Sequence, residues 1–349
     1  LLMYENYKIV CNTAAGRRDY MQYLIPQVIS SKLVDRYDLW INTTNMLDIE
    51  FFKCLEKTYP KINLVWQPDG IINGNASINA FYKNCVEDNT IYIKLDDDII
   101  WIDPTFFEKI IKFRIENPQY FLITPLVINN PKSTYILQVC KKLNLRRYLD
   151  ANSMGNVIWR SGDFAYDLHR WFFSNYLIKE NYKELYCGIK PIGITRFSIN
   201  SIVWFGAEMK KFDGIVLGDD EEFLSSIKPT ELGMSNCYYC NAILVHFSFF
   251  TQREKLNSTS ILESYGEYLH KKWEDDDRLH KLDMQIQEVM KMIDDNKSII
   301  LKKKCPYKIY KKNKWRFINH FFQNLLPAFL LFYYQNHRKK YKNLLVTNR

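Results

Sequence analysis

Read for apolar and polar positions, the first hundred residues alternate between short apolar runs and longer stretches with apolar residues at helical spacing. The runs 7–12, 37–42, 63–67 and 90–95 predict strands; 19–31, 48–58 and 76–85 predict the helices between them. Strands alternating with helices in this way imply a mainly parallel sheet with right-handed crossovers. A further helix is expected over 104–117 and a strand over 120–127. From Asn129 to Gly193 the pattern weakens, with a loop expected over 152–162 and a helix over 163–181. Later strands are expected at 198–205, 214–217 and 242–249, and one long charged helix over 262–295.

One stretch breaks this pattern. Ile91-Tyr92-Ile93-Lys94-Leu95 runs straight into Asp96-Asp97-Asp98, and an apolar run then resumes until Pro104. Adjacent carboxylates repel one another and resist burial, so strand stability does not call for them. A hard divalent cation, Mg²⁺ or Mn²⁺, does. Along an extended chain Asp96 and Asp98 share a face and Asp97 points away. That makes an Asp-x-Asp clamp at a strand's carboxyl end, where open α/β sheets bind ligands. The competing reading is a plain acidic turn between two strands.

These residues and the βαβ elements before them resemble the nucleotide-sugar-binding half of GT-A glycosyltransferases, in particular the family 2-like enzymes of bacterial surface polysaccharides. The resemblance covers about residues 5–250. It implies an α/β, Rossmann-like fold with helices on both faces of the sheet. The implied catalytic domain spans 5–260, divided into a nucleotide-sugar half (5–128) and an acceptor half (129–260), and 261–349 forms a helical basic and aromatic extension. It further implies Asp98 as a direct ligand of Mn²⁺ or Mg²⁺, with Asp96 on the metal, its waters or the donor ribose. Thr13 and either Arg17 or Arg18 fall where such enzymes hold the nucleoside and diphosphate, although a solvated basic helix start explains the arginines equally well. Gly74–Ala80, including Asn79, resembles the segment that approaches the donor, and reads also as a helix start capped by Asn75 or Ser77.

Gly218-Asp219-Asp220-Glu221-Glu222 lies where inverting members place a carboxylate base. Asp220 is the expected base and Asp219 the reserve, against the plain alternative of acids favoured at a helix N-terminus. His246 ends an apolar run and is the expected further metal ligand, against a satisfied core histidine. Gln252-Arg253 follow it as weaker candidates for phosphate or acceptor.

Composition changes the picture in two places. At 47% apolar the chain can bury a large core. Its eight cysteines are scattered through expected core segments, which reads as reduced thiols, and the single close pair Cys237/Cys240 lacks the second pair a zinc site needs. Charge is more telling: residues 296–349 hold 14 Lys and Arg and no acid, leaving 34 basic against 39 acidic residues elsewhere. Within that tail the aromatic stretch Trp315–Tyr334 contains too many polar groups for a clean spanning helix. Flanked by 302–314 and 338–342, it is expected to lie on an anionic membrane surface, or else to pack as a terminal helix on the body. No recognition motif supports nucleic acid as a partner. Leu1-Leu2-Met3 opens without the marks of a secretory signal; the chain starts at Met3 or is a piece of a longer protein.

The expectation is therefore a metal-dependent, inverting glycosyltransferase with a UDP-sugar donor and a glycan or lipid-linked glycan acceptor, made in bacterial capsule, O-antigen or lipooligosaccharide synthesis. It would work in the cytoplasm, peripheral to the inner face of the membrane. The alternatives are metal-dependent nucleotidyl or phosphoryl transfer, which lacks a phosphate-cradling Gly-x-x-x-x-Gly-Lys here, and a non-catalytic glycan-binding protein of the same fold.

Overall fold

A computed structural model describes residues 6–72, 75–153 and 157–309. The described residues up to Lys308 form one compact unit; the expected membrane-surface stretch 315–334 and the cluster 338–342 lie outside the described residues. Among the described residues no helix is long and apolar enough to cross a membrane.

The first half follows the alternation. Strand β1 (Lys8–Ala15) leads to the helix Arg18–Ser30, β2 (Arg36–Ile41) to the helix Met46–Thr58, and β3 (Ile62–Val65) follows. After a two-residue strand β4 (Ile71–Ile72) and the helix Asn75–Tyr82 come β5 (Thr90–Leu95) and, across the acidic triplet, β6 (Ile99–Ile102). The helix Phe106–Glu116 precedes β7 (Tyr120–Ile128); β8 (Ile189–Ile192), β9 (Ser201–Phe205) and β10 (Ser235–His246) complete the main sheet.

Its order is β3-β2-β1-β5-β9-β7-β10-β6, with β8 paired to β10. β1, β2, β3 and β5 are mutually parallel, β9 opposes β5 and β7, and β10 runs parallel to β7 and antiparallel to β6 and β8. Six of the nine strands thus run one way, a mainly parallel, Rossmann-like sheet. Both faces are covered, because successive strand residues enter different cores. Ile9 and Cys11 pack on one side and Val10 on the other; Ile91 and Ile93 on one, Tyr92 on the other.

Six expectations change. Residues 214–217 form no strand: Gly214 takes φ 62°, and a Cβ there would lie 2.2 Å from the Tyr82 carbonyl oxygen, so the chain turns tightly against that residue. The strand expected at 242–249 begins earlier, at Ser235, and stops at His246. The long helix over 262–295 is two, Ile261–Trp273 and Asp277–Asp295, because the Asp276 carboxylate accepts the Arg278 and Leu279 N–H groups and caps a new start. The weak region 129–193 contains the helix Pro131–Val139, capped by Asn130, and the expected loop 152–162 contains the short helix Val157–Arg160. The helix expected over 163–181 is α-helical from Gly162 to Phe172 and continues as a π turn to Leu177.

The consequence for function lies in strand direction. β1, β5, β7 and β10 all point their carboxyl ends to one edge, and β9 starts there, with Ser201 opposite Leu95. That edge collects Gly16–Arg17, Asp96–Asp98, Asn129–Asn130, Asn200 and His246.

Candidate active site

Asp96, Asp98 and His246 converge at this edge, each offering one ligand atom, all within 4.8 Å of one another. The triplet turns between β5 and β6, the Asp98 carbonyl accepting the Phe247 N–H at 2.8 Å. This ties the triplet to the end of β10 and sets His246 beside it: Nε2 stands 3.3 Å from Asp98 Oδ1. The other ring nitrogen, Nδ1, faces the Asn129 carbonyl oxygen at 3.3 Å, presented by a residue at φ 63°. A carbonyl only accepts, so Nδ1 donates to it, and Nε2 is aimed at the Asp98 carboxylate. A backbone carbonyl on the far nitrogen is how metal-binding imidazoles are oriented, and a cation seated between Nε2 and the carboxylate would take the Nε2 lone pair. Two carboxylates and an imidazole are a donor set that could hold a divalent cation.

Asp97 leaves this group. Its carboxylate accepts the Gly16 N–H at 3.0 Å and pairs with both Nε and Nη2 of Arg17. Arg17 is thereby held at the site, with Nη1 3.0 Å from Asp98 Oδ2. Arg253 Nη2 approaches the same oxygen at 3.8 Å. Burial opposes ionisation of Asp98, yet Arg17, His246 and Arg253 together hold its carboxyl well below the usual range. Burial wins at Asp97, whose proton affinity rises despite Arg17. Arg18, the alternative to Arg17, turns away to Asp48 and Asp294.

Asp96 is held by groups that sequence reasoning passed over. Lys94, buried on β5, pairs with Asp96 and donates to the Ile199 carbonyl at 2.8 Å. Asn200 Nδ2 donates to the other Asp96 oxygen at 3.1 Å and is itself held by Asn130 at 2.8 Å. The signal for Lys94 was legible: a lysine inside an apolar β-branched strand needs a partner.

Asp220 is buried and accepts from the Tyr82 hydroxyl at 3.1 Å. Burial raises its proton affinity, and the Lys94 ammonium moderates the rise. Asp219 caps the short helix after it, accepting the Glu222 N–H at 3.0 Å, and pairs with Arg196. Asn79 donates to the Val216 and Gly218 carbonyls at 3.3 and 3.0 Å, clamping the segment that leads to Asp219. Thr13 lies inside β1, its hydroxyl bonded to the buried Tyr37 hydroxyl at 2.8 Å. Gln252 is fully buried between Asn129 and the Phe249 N–H.

No protein-family model matches the sequence, and no curated protein matches it. Among solved structures, a 4-diphosphocytidyl-2C-methyl-D-erythritol synthase from Anaerococcus prevotii is similar over 75% of this chain and 99% of its own, at 13% identity and TM-score 0.40. A CMP:2-keto-3-deoxy-manno-octonic acid synthetase complexed with CTP is similar over 69% and 90%, at 9% identity and TM-score 0.37. A mycobacterial protein is similar over 70% and 69%, at 13% identity and TM-score 0.40. Likenesses this distant leave the function to be argued from the chain's own residues.

Proposed function

We propose that the protein is a metal-dependent transferase that moves a sugar from a nucleotide-sugar donor, a UDP-sugar, to a glycan or lipid-linked glycan acceptor with inversion. The observation that carries this reading is the convergence of Asp96, Asp98 and His246 beside two guanidinium groups at the carboxyl edge of the sheet. Asp96, Asp98 and His246 would hold Mg²⁺ or Mn²⁺, which supplies Lewis-acid stabilisation for a departing diphosphate. Arg17 and Arg253 pair with phosphate oxygens, a task that suits the planar guanidinium fork. As the acceptor oxygen bonds to the anomeric carbon and the bond to the diphosphate breaks, Asp220 takes the acceptor's proton. Its burial makes it a better base, and the Tyr82 hydroxyl fixes its direction.

The test is release of nucleoside diphosphate from a panel of nucleotide sugars with Mn²⁺. Metal-dependent release that disappears in Asp98→Ala is the expected result. Release of pyrophosphate from a nucleoside triphosphate plus a sugar phosphate would replace this reading with nucleotidyl transfer. Turnover unaffected by Asp98→Ala would remove the metal centre from the account.

A further inference from the structure

Beyond the carboxylates, the end of the helix Pro131–Val139 and the residues after it carry an exposed basic surface. Between 131 and 153 the chain has five basic residues and a single acid, Asp150. Lys141, Lys142, Arg146 and Arg147 are exposed, and none of the four forms an ion pair among the described residues. Some exposed lysines elsewhere do find carboxylates, as in Lys210–Asp88, Lys255–Asp163 and Lys272–Glu180.

Among these cations stand apolar side chains in water: Val139, Ile189, Tyr148 at 61% exposure and Ile194 at 81%. Val139 and Tyr148 line two adjoining cavities, and Ile194 follows Gly193, which lines the first. A cavity of about 280 Å³ is lined by Lys132, Val139, Lys190 and Gly193. A second, of about 510 Å³, is lined by Arg146, Arg147, Tyr148 and Val157. The two meet where Tyr135 packs edge-on against Tyr148, ring centres 5.8 Å apart.

Single exposed apolar residues are ordinary; a cluster of them rimmed by unpaired cations marks a contact surface. We infer that this face docks on an anionic phospholipid bilayer. The cations meet lipid phosphates, while Tyr148, Ile194 and Val139 enter the interfacial region. A soluble polyanion would account for the arginines and leave the apolar side chains unexplained. The face also lies near the candidate site. Its helix starts at Asn130, which reaches Asp96 through Asn200, and nine residues at 1.5 Å rise span roughly 13 Å. An acceptor embedded in that bilayer would be presented within reach of the carboxylates. The inference rests on this surface alone and stands whether or not the protein transfers sugar.

The experiment is hydrogen–deuterium exchange of the full chain with three additions: phosphatidylcholine vesicles containing phosphatidylglycerol, pure phosphatidylcholine vesicles, and inorganic phosphate at equal phosphate concentration. Slowed exchange in 139–151 and 187–196 is expected with the anionic vesicles only. Arg146→Gln with Arg147→Gln, and separately Tyr148→Ser with Ile194→Ser, should each weaken vesicle partitioning at least tenfold at an unchanged melting temperature. Vesicle binding without protection of these two segments assigns the contact to another region and overturns the inference. Equal protection by inorganic phosphate, or variants that partition as the parent does, overturns it too. Should a variant melt early, the exchange pattern of the parent chain decides.

Discussion

His246 Nε2 lies 3.3 Å from Asp98 Oδ1, although one ends β10 and the other follows β5. Their meeting depends on two backbone contacts, the Phe247 N–H on the Asp98 carbonyl and the Asn129 carbonyl facing the imidazole. An imidazole oriented from behind and turned to a carboxylate has the form of a metal ligand pair. Asp98→Asn and His246→Ala should each lower Mn²⁺ affinity at least tenfold. Titration calorimetry reads this directly, and so does loss of the Mn²⁺-induced rise in melting temperature that the parent protein should show.

Asp97, between the two proposed ligands in sequence, should behave differently. Its carboxylate holds Gly16 and Arg17. Asp97→Asn is expected to keep Mn²⁺ binding within a fewfold while costing about 1–3 kcal/mol of stability, because a partly buried guanidinium loses one of its two charged partners. Chemical denaturation and metal titration on the same variant separate the two effects. Equal loss of metal at positions 97 and 98 would overturn this division of labour.

For the proposed base, Asp220→Asn keeps the shape of the side chain and the hydrogen bond from Tyr82, and removes the ability to take a proton. Turnover should fall by roughly 10²–10⁴-fold with donor affinity retained. Donor binding lost together with turnover would make Asp220 a binding residue instead.

Gly214 connects the fold to that base. Its left-handed backbone and its approach to Tyr82 leave no room for a side chain. Gly214→Ala should lower stability by more than about 1 kcal/mol and disturb Tyr82, which donates to Asp220. A melting curve identical to the parent's would show that the turn relaxes freely.

Acid should loosen the protein at a defined buried group. His169 is fully buried, with Nε2 on the Phe247 carbonyl at 2.8 Å and Nδ1 facing the Tyr265 hydroxyl at 3.3 Å. Burial pushes its pKa down from 6.5 to about 4. The unfolded chain therefore binds this proton first. The native state keeps its full advantage above pH 6.5, loses it progressively between 6.5 and 4, and changes no further below. The group's share is about 3 kcal/mol. His169→Gln should flatten the stability profile in that window, measured by urea denaturation at successive pH values.

Much of this was legible in the chain because it is local. The period-2 and helical patterns that place β1, β2, β3 and β5 reflect the burial of both sheet faces, and the helix Asn75–Tyr82 fits the same alternation. The acids at 96–98 stood out because adjacent carboxylates in an apolar run have no packing reason to be there. Residues 214–217 were misread because β-branched residues look the same in an extended loop and in a strand; only the contact of Gly214 with Tyr82 tells them apart. The break at Asp276 was hidden because a cap acts through one residue's dihedral angles, against which the helical periodicity on either side is blind.

The chain by itself determined which residues are ionic in an apolar setting and which alternate between sheet faces, since those properties belong to residues and their immediate neighbours. Tertiary structure decided which of them meet. It chose Arg17 over Arg18, brought His246 to Asp98, set Lys94 against Asp96, and engaged Thr13 and Asn79 in contacts of their own. The physical reason is direction. Strand order and the parallel run of β1, β5, β7 and β10 carry distant carboxyl ends to one edge, and no spacing along the sequence encodes that.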